Sequence, residues 1–300
     1  MANRYEPNID VASLNAIDTH VHIEVDDTGH NALPPTLVDA ASKYFKSQTT
    51  RPGLDEIADF YRHQGIAAVV FTVDASTQMG HSPNSSEAIA EGAARNNDVL
   101  IPFGSVDPHR GADAVTGIKK LAEDHGVQGF KFHPSVQGFD PSDRQFYPLY
   151  ETLQEIGRPV IFHTGQTGIG SGLPGGFGIK LGLSNPMLLD SVAADFPDLP
   201  IIMAHPSVPW QDEALAVATH KANVYIDLSG WAPKYFPENL VRHANRMLQD
   251  KVLFGSDYPL ITPERWLRDF GNLDIKDEVR PKILKDNAVR LLGLERSGNE

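Results

Sequence analysis

The chain contains no cysteine, which excludes disulfide staples, thiolate metal ligands and cysteine nucleophiles. Long apolar runs are also missing: no window approaches eighteen consecutive apolar residues. The first residues, MANRYEPNID, lack the basic and apolar regions of a signal peptide. Membrane insertion and classical secretion are therefore disfavoured, and the cytoplasm is the expected compartment. Positive charge is in short supply, with 26 Lys and Arg against 39 Asp and Glu, a formal net charge of -13. That balance repels a phosphate backbone, and the basic residues form no stripe, so nucleic acid is not an expected partner. Internal repeats and a Gly-rich phosphate turn after the first apolar run are absent too. What remains is 41% hydrophobic and 22% charged over 300 residues, a globular composition with ample material for a core. Any metal must be held by His, Asp, Glu or Lys.

Eight short apolar runs, rich in β-branched and aromatic residues, recur along the chain at residues 14–23, 66–74, 99–107, 127–134, 159–165, 200–206, 223–230 and 252–259. Between them lie amphipathic segments such as GLDEIADFYRHQ, SSEAIAEGAARNN and WQDEALAVATHK, with apolar residues three and four apart. Strand then helix, eight times, predicts a distorted (β/α)8 TIM barrel of the α/β class. We assign it to one domain over residues 1–294, with 295–300 as a frayed tail. Two connections are longer than usual, residues 24–52 after the first strand and GQTGIGSGLPGGFGIKLGLS after the fifth. Both follow strand C-terminal ends, where barrel enzymes place substrate loops or lids, although mobile surface or an oligomer contact would read the same way. A homo-oligomer is compatible with this pattern.

Asp18, His20 and His22 are spaced two apart in the first strand, and a strand's period of two predicts all three on one face. Alone, the His pair reads equally well as two core histidines satisfied by backbone groups. Downstream, however, His163 ends the fifth strand, His205 the sixth and Asp257 the eighth. A closed barrel makes such strand ends converge on one cavity. Five polar residues at one end of different strands would each need a separate partner, whereas a single metal compensates most of them together. Neutral imidazoles with a carboxylate suit one divalent metal, zinc first, with manganese, iron or cobalt as alternatives.

These motifs resemble the amidohydrolase superfamily, and within it the amidohydrolase-related branch that includes aminocarboxymuconate semialdehyde decarboxylase and the dihydroxybenzoate decarboxylases. IDTHVHI is similar to that branch's first-strand signature, VIFHTG to its fifth, IIMAHP to its sixth, KVLFGSDYP to its eighth and DNAVRLLGL to its closing helix. The resemblance implies a distorted barrel in which His20, His22, His163 and Asp257 are metal ligands or lie beside them, with His205 as the acid/base or electrophilic histidine. In binuclear members a fourth-strand lysine is carbamylated and bridges two metals; Lys131 in GFKFHP stands at that place. Its other reading is a neutral or ion-paired lysine at the rim. His133, on the same face, is either a substrate donor or held by the Pro134 turn.

A metal-activated water would attack a lactone, ester or amide of a small organic acid, with Asp257 accepting the proton and His205 binding the developing oxyanion. Hydrolysis is the expectation, because the chain reads HPSVPWQDE after the sixth strand where the decarboxylases have a glycine-rich turn. The alternative is non-oxidative decarboxylation of a small aromatic or unsaturated carboxylic acid by the same residues. A catalytically silent metal-binding barrel is the third reading. Lys46, Arg51, Arg144, Trp210 and Trp231 fall on the catalytic side of the predicted barrel. The arginines would meet a substrate carboxylate and the tryptophans a planar or apolar body, with surface charge and loop packing as the bland alternatives. Asp74, Asp107 and Asp227, also at strand ends, are expected to cap helices or to orient imidazoles.

Overall fold

The computed structural model describes residues 4–45 and 51–296; Lys46 and most of the expected C-terminal tail lie outside them. Eight parallel strands follow one another around a barrel: β1 (Ala16–His22), β2 (Ile66–Phe71), β3 (Leu100–Gly104), β4 (Gly129–Phe132), β5 (Val160–His163), β6 (Ile201–Ala204), β7 (Val224–Asp227) and β8 (Val252–Leu253). Every neighbouring pair is in sequence order. β1 meets the β8 end through Thr19 N–H to the Phe254 carbonyl at 2.9 Å, Asp257 N–H to the His20 carbonyl at 3.0 Å and His22 N–H to the Tyr258 carbonyl at 2.8 Å. These closing bonds involve three of the expected site residues themselves, His20, His22 and Asp257, so the contacts that close the barrel also bring the site together.

The alternation of the strands sorts two cores. Ile17, Val69, Phe71, Ile101, Phe103 and Ile161 fill the barrel interior. The opposite faces of the strands pack on the surrounding helices, as Ala68, Val70 and Phe130 do with Ile57, Tyr61 and Ile118. Interior filling requires Gly129, because a Cβ there would lie 2.3 Å from the Phe103 ring. The outer helices include α1 (Pro35–Phe45), α2 (Leu54–Gln64), α3 (Ser86–Arg95), α4 (Ala112–Glu123), α5 (Tyr147–Glu155), α6 (Leu188–Asp195), α7 (Gln211–His220), α8 (Glu238–Ala244), α9 (Pro263–Gly271) and α10 (Asn287–Leu292). The excursion after β1 therefore contains a helix, α1, and the one after β5 is built of short 3-10 turns. Among the described residues no helix is long and apolar enough to cross a membrane.

One expectation about β1 fails, for a physical reason. Asp18 pairs with Ala68 and Val21 with Val70, so three steps on β1 oppose two on β2, which is a β-bulge. The extra residue reverses the alternation. Asp18 turns outward and accepts hydrogen bonds from Ser256 N–H at 2.9 Å, the Ser256 hydroxyl at 2.5 Å and the Tyr61 hydroxyl of α2 at 2.7 Å. His20 and His22 point inward instead, each against the edge of Phe71, with ring centroids 5.0 and 4.9 Å away. Burial raises the Asp18 carboxyl to about 6 against the pull of these bonds. Asp18→Ala would strand buried donors on Ser256, just after β8, and on Tyr61 of α2, and it is expected to destabilise the fold by about 3 kcal/mol in urea unfolding. A loss below about 1 kcal/mol would show that water replaces the carboxylate.

Candidate metal centre and its cavity

The floor of the site is the meeting of β1, β4, β7 and β8. His20 Nε2 lies 3.2 Å from His22 Nε2, 3.2 Å from Lys131 Nζ and 3.4 Å from Asp257 Oδ1. The His22 Nε2 to Asp257 Oδ1 distance is 3.2 Å. Two donors about 2.1 Å from one ion at tetrahedral angles stand about 3.4 Å apart, so the spacing of these three residues fits a divalent metal. A second cluster of ligand type, His20, His205 and Asp227, shares its first member.

Asp227 at the end of β7 fixes the orientation of His20. Its Oδ2 accepts from His20 Nδ1 at 2.9 Å, while Oδ1 accepts from the backbone N–H of Ser229 at 2.9 Å and from the Ser229 hydroxyl. Burial works against the charge of Asp227, but His20 and His205 nearby and the Ser229 bond hold it well below the usual carboxylate range. With its proton on Nδ1, His20 presents a lone pair at Nε2, toward the cluster. Burial and the neighbouring Lys131 push the His20 imidazole down to about 3, so it is neutral at physiological pH. Asp257 is likewise disfavoured by burial, yet the hydrogen bond from His22 and the surrounding imidazoles keep it ionised. Lys131 is fully buried, which lowers its pKa to about 8, and Nζ also sits 5.0 Å from the Phe71 ring centre.

His163 is set one step from this cluster. Its Nδ1 is 2.9 Å from His205 Nε2, its ring stacks on His133 at 3.7 Å, and its Nε2 is buried without a hydrogen-bond partner. A buried lone nitrogen of this kind suits a ligand that the protein itself does not supply. His205 bonds at both ring nitrogens, the second to the Ser229 hydroxyl at 2.9 Å. His205, Ser207 and Asp257 all adopt positive φ, 73, 59 and 69°. Gly230 explains how His205 and Asp257 stay so close to the β7 loop: a Cβ there would fall 2.5 Å from His205 Nδ1 and 3.3 Å from Asp257 Oδ2, at φ +73°. Gly230→Ala is accordingly expected to shift both side chains and cut turnover about a hundredfold. Unchanged kcat in that variant would mean that neither side chain is held by the loop.

Above the cluster opens a cavity of about 440 Å³ whose buried floor includes His133, His163, His205 and Asp257. Its walls are apolar, with Leu33, Val38, Ile169, Trp231, Leu260 and Ile261. Of the residues expected to meet substrate, Arg51, His133 and Trp231 line it. Arg144 and Trp210 do not. The Arg144 guanidinium packs over Tyr147 on the outside, 5.8 Å from the ring centre, and Trp210 begins α7, donating its N–H to the Ser207 carbonyl. Asp107 caps a 3-10 turn and Asp74 holds Ser76, as capping carboxylates do.

Two charged cavity residues escape the sequence reading. Glu24 continues the period of two beyond His22 and pairs with Arg51, which also donates to the Ser42 hydroxyl of α1 at 3.2 Å. The pair ties the two ends of the excursion after β1 across the cavity wall. Arg265, from α9, is the other.

A parallel barrel that gathers histidines and a carboxylate at its C-terminal rim places a candidate metal centre where barrel enzymes carry their active sites. The family model described as amidohydrolase matches residues 17–294, and the chain belongs to that family. It is similar to an uncharacterized TIM-barrel protein from Bordetella bronchiseptica, at 26% identity and a TM-score of 0.77 over 95% of this chain and 99% of that one. A dihydroxybenzoic acid decarboxylase from Polaromonas, with bound manganese and the inhibitor 2-nitroresorcinol, is 16% identical, with a TM-score of 0.66 over 94% and 98% of the two chains. A 5-carboxyvanillate decarboxylase from Novosphingobium aromaticivorans, also with bound manganese, is 16% identical at 0.66 over 97% and 100%. Likeness at that identity shows the shared fold.

Proposed function

We propose that the protein is a metal-dependent carboxy-lyase acting on a small aromatic or unsaturated carboxylic acid, the second of the two reactions considered from sequence. The observation that carries it is the donor cluster of His20, His22 and Asp257, spaced 3.2 to 3.4 Å apart, at the floor of an apolar cavity. The decarboxylases among the solved structures of the same fold support the choice of reaction. His20, His22 and Asp257 would hold one divalent ion, with His163 Nε2 as the next donor; manganese in two of the similar structures sets it beside zinc as the expected metal. When bound, the ion supplies Lewis-acid polarisation of substrate oxygens.

The chain's own groups do the rest. Trp231 and the aliphatic walls hold a planar body and exclude water. Asp257, ionised and facing the cavity, takes a proton from the substrate hydroxyl or from water and delivers it to the carbon that bears the carboxylate. The bond to the carboxyl carbon then breaks, its electron pair returns to the ring, and carbon dioxide leaves. His205 keeps its one proton on Nδ1, toward the Ser229 hydroxyl, so it would donate from Nε2 to the developing negative charge only after taking up a second proton and parting from His163. Lys131, buried beside His20 Nε2 and Phe71, is read as a rim amine that would yield the His20 lone pair to the ion. Two equivalents of copurifying metal, with activity dependent on carbon dioxide, would instead favour the bridging carbamate.

Hydrolysis of a lactone, ester or amide uses the same residues, and the HPSVPWQDE segment in place of a glycine-rich turn favours it. Turnover of hydroxybenzoates in deuterated water, followed by product mass, separates the two. Carbon dioxide release with one deuterium on carbon supports the lyase. Uptake of one oxygen-18 from labelled water by a lactone or ester, with no carbon dioxide formed, would replace it by the hydrolase. Absence of turnover on both substrate sets would leave the silent barrel.

A further inference from the structure

The cavity wall carries two acidic side chains, Glu24 and Asp257; Glu24 is paired with Arg51, and Asp257 is held within the donor cluster by His20 and His22. It also carries two arginines. Arg51 is spent on Glu24 and Ser42. Arg265 is not: its guanidinium has no ion pair, hydrogen bond or aromatic partner among the described residues. It is exposed, on the first turn of α9, eight residues after Asp257, and it lines the cavity together with Tyr44 and Tyr235, which are 51% and 63% exposed. Arg265 therefore stands at the mouth, with the buried cluster at the floor and apolar side chains between.

The size of the cavity points the same way. About 440 Å³ lies in the range that takes a drug-sized ligand rather than a single ring. A chain of net charge -13 repels anions at long range, so an anionic end needs a fixed cation close by.

We infer that Arg265 receives a second anionic group, carboxylate or phosphate, at the end of the substrate far from the donor cluster. The substrate is then an elongated acid with an apolar middle and two anionic ends. This rests on the reading above that its first end is a carboxylate at the cluster.

The test is calorimetric binding to the metal-loaded protein of salicylates bearing a para alkyl chain that ends in carboxylate, in phosphate or in methyl. Chains of several lengths are compared at equal length. At the best length an anionic end is expected to bind about tenfold tighter than the methyl end. In Arg265→Gln that ratio falls to near one, and Arg265→Lys keeps part of it. The carboxylate and phosphate arms show which anion is preferred. A ratio near one in the wild type at every length, binding of no probe included, or an undiminished ratio in Arg265→Gln, overturns the inference. The ratio compares two tails on one head, whereas carbon dioxide release tests the parent reading, so the two fail separately.

Discussion

His22→Ala is expected to leave the protein without its divalent metal and to lower turnover by a thousandfold or more, about 4 kcal/mol of transition-state stabilisation. His22 is the better of the two first-strand histidines for this experiment. His20 is fully buried and bonded to Asp227 and Lys131, so its removal strands a carboxylate and an ammonium and mixes folding with metal loss. The His22 side chain is 24% exposed, and its ring nitrogen is engaged within the cluster. Its truncation should therefore leave the urea midpoint close to that of the apoprotein while metal analysis drops from about one equivalent to near zero. A variant that keeps one tightly bound equivalent and normal turnover would remove the donor cluster from the mechanism.

The second large effect is expected at Asp257→Asn, with kcat falling by about 10²–10⁴. Asparagine keeps the size of the side chain and, like aspartate, tolerates the left-handed backbone seen there at φ 69°. The Leu260 N–H bond to the residue 257 carbonyl also survives the change. What is lost is the ability to take up a proton, so folding should be unchanged and a substantial part of the metal retained. Near wild-type turnover would reduce Asp257 to a ligand without a role in proton transfer.

Most of the barrel was legible because its strands announce themselves: each apolar run contains the observed strand, and the histidines that end β5 and β6 stand where closure brings them together. The face of Asp18 was not legible. A period of two places it with His20 and His22, and the bulge that parts them depends on Ser256, which is 238 residues away. Glu24 was within reach, since it extends the same alternation by one more step, but its significance depends on Arg51 returning to it after an intervening helix. Arg144 and Trp210 show the opposite error. Both follow strand C-terminal ends in sequence, yet side chains on those connections turn to the helical layer as readily as to the cavity. The place of helix α9 at the cavity mouth is not legible in PERWLRDFG, which puts few apolar residues in view and whose Trp266 buries itself by packing against Phe254 and stacking on Phe270. Arg265 became visible only with it.

The left-handed backbone at His205, Ser207 and Asp257 bears on how this protein would respond to selection. A side chain in that region costs about 1–2 kcal/mol relative to glycine. Heat resistance selected by itself would therefore favour glycine at 205 and 257 and produce tougher but inert barrels, while selection on turnover would restore histidine and aspartate. A melting temperature raised by glycine at these two positions would measure how much rigidity the chemistry has displaced, whereas a lowered one would show that the buried partners of His205 and Asp257 outweigh the backbone strain.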